Sequence, residues 1–346
     1  MTLPVDGPMQ ASMINVELFY EPTALITLDD APVRTLAEKP TGIISLNDFY
    51  GKANRVPISN NISANTTSYT FSPSSVPTYI AGYTDATFTI NSGVYLYSTN
   101  TTIAALTISD WDIGDTITII NNGYIMGKGG DSYTFAVAGT PQAGGPAIKL
   151  LNNISLINNS YIGGGGGAGG NQSAGISGGG AGGGKGGDGV SLNSGGAGGL
   201  PGLAGSKGVA QQTGPAQQAN TRILGTGGGG GRIMPGVGGI AGTGAGPTAA
   251  ERAGGGGGAG GGGGYWALPV GGGGGGPPGA GGSAGSTGST GTATGGVGGG
   301  GWGAAGGNSD PAGGSNSLGG IGGKAINLNG YTATLTTPGT IYGAIS

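Results

Sequence analysis

The sequence contains no cysteine and no histidine. The first absence excludes a disulfide framework and thiol chemistry. The second removes the commonest general base, the usual zinc ligand and every Ser-His-Asp arrangement. Charge is also scarce, at 8% of residues, against about 25% in an ordinary soluble domain. The net charge is −3 and mean hydropathy is close to zero. The basic residues beyond Arg55 are scattered and form no stripe suited to nucleic acid. The opening Met1–Asp6 lacks the basic and apolar regions of a secretory leader, and no apolar run of about 18 residues is available to span a bilayer. No cofactor or metal is expected.

What the chain has in excess is glycine, 90 of 346 residues, concentrated between 163 and 323. Runs such as Gly254–Gly264, broken by Ala259, and Gly271–Gly276 recur between short interruptions. Collagen needs glycine at every third position. Gly178–Gly189 breaks that rule, since Ala181, Lys185 and Asp188 lie at spacings of four and three. Silk-like Gly-Ala alternation is missing as well. Two readings remain, a flexible linker and a packed bundle of polyglycine-II helices. In the bundle, threefold extended helices satisfy one another's backbone groups, and glycine on the inward ridges lets them approach. The bundle is the favoured reading, because a simple linker has no need of several glycine blocks separated by distinct interruptions.

Residues 1–54 differ from the rest and carry a large share of the charges. Met9, Met13, Ile14 and Leu18 have helical spacing, and Asp29-Asp30-Ala31-Pro32 reads as the opening of a second helix over 33–37. Residues 47–52 read as a final capped turn. Residues 55–85, rich in Ser, Thr, Asn and Pro, read as a linker. From Ala86 the chain alternates apolar and polar residues with β-branched enrichment, the pattern of strands. A longer repeat lies beneath it. Ile119 and Ile125, Leu156 and Ile162, and Leu335 and Ile341 share one spacing, and Gly145–Leu150 parallels Gly323–Leu328. The glycine segment is therefore expected to be an insertion between neighbouring strand pairs of one β-structure, with ends that leave and return close together. A β-helix or β-prism, with Asn and Gly at its corners, is the expected host.

The stretch ALITLDDAPVRTLAEKPTGIISLNDFYGK resembles an N-terminal module of tailed-phage tail-fibre and tail-tip proteins, on Ile26–Asp29, Val33, Arg34, Leu36 and Ile44–Lys52. INNGYIMGKGGD, beginning at Ile120, resembles a string common in phage tail proteins. The glycine-rich region is similar to tail-fibre tip adhesins of T-even-like phages. The resemblance implies a virion tail protein that is a receptor-binding adhesin and not an enzyme. It further implies that stacked polyglycine-II helices present loops to a host outer-membrane protein or surface glycan. The expected domains are a virion-docking module (1–54), a linker (55–85), a β-rich domain (86–162), the polyglycine-II bundle (163–323) and returning strands (324–346). The fold class is mainly β with irregular structure.

The interruptions of the glycine segment are the expected receptor-binding loops, with Tyr265, Trp266, Leu268, Trp302, Gln211, Gln212 and Arg222 as the residues. Aromatics and Arg dominate binding hot spots, and Tyr with Trp on Gly-rich loops echoes antibody paratopes. The competing reading gives Trp266 and Leu268 a packing role at the bundle's end. Virion docking is expected through Ile14, Leu28, Val33, Leu36, Phe49 and Tyr50, onto other tail proteins and as a homotrimer or a subunit on a symmetric tail. Asp110, Asp112 and Asp115 could offer oxygens to calcium, but the EF-hand spacing is missing and a solvated turn is expected. The alternatives are an extracellular glycine-rich structural or ice-binding protein, disfavoured by the first 54 residues, and a polysaccharide-degrading tail spike.

Overall fold

A computed structural model describes residues 3–132, 140–170, 179–185, 197–201, 203, 206, 298–308 and 318–346. It divides into two compact units. One comprises Met1–Asn60, Ser72–Thr87 and Asp110–Thr118, and the other Asn61–Phe71, Phe88–Ser109 and Ile119–Ser346.

The first unit contains α1 (Ala11–Glu17), α2 (Ala31–Leu36) and a 3-10 turn at Leu46–Phe49. Both helices stop in the same way. Tyr20 N–H bonds Asn15 O while Phe19 N–H bonds Val16 O, and Lys39 and Glu38 repeat the pattern on Arg34 and Thr35. This double closure places Phe19 (φ 61°) and Glu38 (φ 54°) in the left-handed region usually reserved for glycine. Ser45 and Asp48 form a reciprocal capping box on the final turn.

The strands belong to three sheets that the chain visits in rotation. The first circuit is β1 (Val56–Ile62), β2 (Thr66–Thr67) and β3 (Tyr69–Phe71); the second is β4 (Thr84–Ile90), β5 (Tyr95–Tyr97) and β6 (Leu106–Ile108). The third is β7 (Thr116–Asn121), β8 (Tyr124–Met126) and β9 (Ile148–Leu150). The fourth is β10 (Ile154–Asn158), β11 (Tyr161–Gly163) and β12 (Ile326–Asn327), and β13 (Ala333–Thr337) and β14 (Thr340–Tyr342) begin a fifth. The sheet orders are β1-β4-β7-β10-β13, β14-β11-β8-β5-β2 and β12-β9-β6-β3. The pairings registered between individual strands are parallel. Strand alternation directs one set of side chains inward: β4 is buried at every second residue from Thr84 to Ile90.

The sixfold spacing seen in the sequence is one step from the first sheet to the second. Leu156 pairs with Leu335, and Ile162 pairs with both Ile125 and Ile341. Gly145–Leu150 and Gly323–Leu328 are the corresponding approaches to the third sheet, where Ile148 pairs with Ile326. Between the first two sheets, buried Asn121 donates Nδ2 to Asn158 Oδ1 at 2.8 Å, and Asn158 Nδ2 donates to Pro338 O at 2.8 Å. This amide ladder satisfies polar groups that burial would otherwise leave unpaired.

The expected linker over 55–85 is corrected: β1, β2 and β3 make residues 56–71 the first circuit of the winding. Its Asn, Ser and Thr residues hid the alternation, because only Ile58, Ile62 and Phe71 of these strands are buried apolar positions. The connection between the second and third sheets lengthens from circuit to circuit. It is residue 68, then 98–105, then 127–147, then 164–325. The glycine segment is the last of this series.

Candidate functional site

The N-terminal residues expected to dock divide by burial. Ile14, Val33, Leu36 and Phe49 are buried together with Leu3, Met9, Leu18, Ala37 and Ile44 in one apolar cluster. These four therefore hold the module together and present nothing to a partner, which corrects the sequence expectation. The helical periodicity that singled them out marks the face turned to a core. Leu28 remains partly exposed, and half-buried Tyr50 packs on the cluster with its hydroxyl donating to Gly7 O. The apolar side chains this unit turns outward are others: Leu25 and Ile43 are 102% and 92% exposed, with Val5 and Leu46 also in solvent.

Of the carboxylates at 110–115, Asp112 and Asp115 are committed to structure. Tyr79 Oη donates at 2.8 Å to both Asp112 Oδ2 and Asp115 Oδ2, and Asp115 also accepts from the backbone N–H groups of Asp112 and Thr84. Burial, followed by these two carboxylates, pushes the Tyr79 hydroxyl well above its usual range. Among the described residues no group of three or more acidic side chains could hold a metal ion.

In the second unit, residues 163–170 make backbone hydrogen bonds in a three-residue rhythm. Gly165 and Ala168 donate to Gly145 and Gln142, while Gly167 and Gly170 donate to Ala304 and Gly307. The carbonyls follow suit: Gly164 and Gly167 accept from Gly303 and Gly300, Gly165 and Ala168 from Gly323 and Gly320, and Gly163 and Gly166 from Gly127 and Gly130. Gly166 also donates to Ala181. Residues three apart thus address the same neighbour and consecutive residues different ones, except that the Gly164 N–H, next to the strand end, still bonds Tyr342 O. At the glycines of this segment no side chain fits between the backbones. A Cβ on Gly167 would lie 1.7 Å from Gly320 O, and one on Gly165 2.0 Å from Lys128 O. Residues 318–324 show the outer edge of the same rhythm: Leu318, Ile321 and Lys324 are exposed, whereas Gly320 and Gly323 are buried.

Two features fasten this layer. Lys128 Nζ donates to Gly129 O at 2.9 Å and pairs with Asp131 Oδ1 at 2.6 Å, and the same oxygen accepts from Lys185 N at 2.6 Å. Lys128 is buried, so its ammonium depends on these partners. Trp302 is fully buried against Met126, Ala181 and Tyr342, with Tyr95, Tyr97, Tyr124 and Tyr161 alongside. The rings of Tyr95, Tyr124, Tyr161 and Tyr342 stack in sequence, with successive centroids 4.7, 5.8 and 6.3 Å apart. Trp302 was expected on a binding loop, and its burial removes it from any such surface. The Lys-Gly-Gly-Asp spacing was the one signal for the buried ion pair. Tyr265, Trp266, Leu268, Gln211, Gln212 and Arg222 lie outside the described residues.

The family model described as phage tail fibre adhesin Gp38 matches residues 57–255. The match starts within β1, so the N-terminal module lies outside it. No curated protein matches the sequence. A solved structure, the gp37–gp38 adhesin tip complex of the bacteriophage S16 long tail fiber, aligns over 99% of this chain and 100% of that chain. The identity is 15% and the TM-score 0.39, a likeness too low to carry an argument.

Proposed function

Because the chain belongs to the phage tail fibre adhesin Gp38 family, we propose a mechanism by which it attaches the virion to its host. Family membership places it in the virion tail with a receptor-binding role. In our reading the three sheets form a β-helix, and the glycine segment is a polyglycine-II bundle inserted at one corner of it. The bundle is a rigid scaffold and the non-glycine interruptions are the recognition elements. The observation that carries this reading is the three-residue hydrogen-bond rhythm around residues 163–170, which is the periodicity of a threefold extended helix. A two-residue strand period or a coil would not return to the same neighbour at every third residue.

The recognition residues proposed are Tyr265, Trp266 and Leu268, with Gln211, Gln212 and Arg222. Tyr and Trp bury large area at low entropic cost on short loops, and Arg adds directional hydrogen bonds. The receptor is a host outer-membrane protein or surface glycan. The N-terminal module docks the adhesin onto other tail-fibre proteins, through its outward Leu25, Ile43, Leu46 and Leu28 in place of the buried set. Catalysis has no part in this mechanism.

The test is adsorption. Virions carrying the adhesin with residues 265–270 replaced by glycine should incorporate normal amounts of it and lose host adsorption. Undiminished adsorption would remove this loop from the site.

A further inference from the structure

Residues of three separate segments of the first unit enclose a cleft of about 400 Å³ lined by Ala53, Arg55, Ala81, Gly82, Tyr83, Ile113 and Gly114. Its floor is two glycine turns in backbone contact. Gly82 and Gly114 have φ of 76° and 101°, and a Cβ on Gly114 would lie 2.7 Å from Gly82 O. Ile113, beside those turns, is wholly exposed. Tyr83 lines the cleft, and the ring of Phe19, outside the lining, meets it edge-on at 4.8 Å. Phe19 holds that place from a left-handed backbone conformation that an aromatic residue seldom adopts.

Arg55 decides what the cleft can take. All five of its N–H groups are committed: Nε and Nη2 to Asp85 Oδ1, Nη1 to Gly82 O and Gly114 O, and Nη2 also to Thr84 O. No donor is left for a carboxylate or phosphate. A guanidinium whose N–H groups are all taken can still stack by its face on aromatic rings, and Arg55 lines the cleft with its side chain 24% exposed. With an aromatic wall and an aliphatic rim beside it, the occupant that matches is a flat aromatic side chain and not an anion.

We infer that this cleft receives an aromatic side chain projecting from the tail-fibre protein on which the adhesin is seated. The inference rests on the proposed docking role of the N-terminal module, whose Ala53 borders the cleft, and adds to it an anchoring pocket separate from the exposed Leu25 and Ile43. An interface of this kind concentrates its affinity in one buried aromatic anchor surrounded by weaker contacts.

Titration of the full-length protein with N-acetyl-tryptophanamide, followed by NMR of Arg55 Nε and the Ile113 methyl groups, tests the pocket. Saturable shifts with a Kd on the order of millimolar are expected for so small a probe. N-acetyl-leucinamide should give none. Ala81→Trp, which fills the cleft from an exposed position, and Ile113→Asp should each weaken the response about tenfold or more without lowering Tm. Absence of saturation, or equal shifts with the leucine amide, overturns the aromatic occupant. Phage assembled with Ala81→Trp should carry less adhesin. Normal incorporation of that variant overturns the assignment to the docking partner. Normal incorporation of a Leu25→Glu/Ile43→Glu variant would instead sink the docking role itself, and the titration alone then decides whether the cleft takes an aromatic group.

Discussion

Single residues in this protein do work that their type conceals. Asp85 is pulled upward by burial, but its hydrogen bonds from Arg55 and Thr116 outweigh that and hold its carboxyl below the usual range. A depressed folded pKa stabilises above the unfolded value of about 3.9 and loses that contribution as pH falls through the folded one. Stability should therefore decline with acid below about pH 4, and Asp85→Asn should be weaker at neutral pH with a flatter acid limb. The pair is partly exposed, so the difference in denaturant unfolding should be about 1 kcal/mol. Trp302→Ala should cost more, about 3–5 kcal/mol, for a fully buried indole. Gly167→Ala should cost at least about 2 kcal/mol, since its Cβ cannot coexist with Gly320 O at 1.7 Å. Gly330→Ala is the contrast: nothing lies within 4 Å of its Cβ, and only the positive φ opposes it, for about 1 kcal/mol. Sequence reading misplaced Trp302 because an aromatic flanked by glycines looks the same whether it faces solvent or a tyrosine stack. The distinction lies in Met126, Ala181 and Tyr342, which are remote in sequence.

At the scale of elements, the winding was legible where its inward positions are large and aliphatic. Ile119 with Ile125, Leu156 with Ile162, and Leu335 with Ile341 repeat because parallel stacking sets like above like. The first circuit escaped notice because β1 sets Pro57, Ser59, Asn60 and Asn61 between its few apolar residues. The two outer strands of the first sheet also carry features that blunt an exposed edge. Pro57 interrupts donation from β1, and β13 has a register shift between Leu335 and Thr337 followed directly by Pro338. The helices of the first unit are legible by period, but the same period cannot tell residues that face a partner from residues that face the module's own core. Buried Ile14, Val33, Leu36 and Phe49 are the ones that recur at helical spacing or sit in capped turns, whereas Leu25 and Ile43 stand in irregular connections with no pattern to mark them. Leu25→Glu with Ile43→Glu should leave the thermal unfolding temperature within about 2 °C of the parent, because both side chains are already in water. Quantification of adhesin on purified virions should show its loss.

For the whole molecule, the glycine segment is the longest of a graded series of connections between the second and third sheets, and residues 127–130 of the preceding connection bond to its described residues. Among the described residues the β-winding supplies the ends of the segment, and residues 127–130 and 142–145 of the preceding connection supply partners to 163–168. Composition by itself suggests a linker, and only the repeat on either side indicates anchored ends. Amide exchange of the full-length protein tests the packed scaffold most directly. The N–H groups of Gly165, Gly166, Gly167, Gly303, Gly320 and Gly323 should be protected by orders of magnitude and exchange together, as one cooperative layer. Exchange of these six at the rates of an unstructured chain would contradict it.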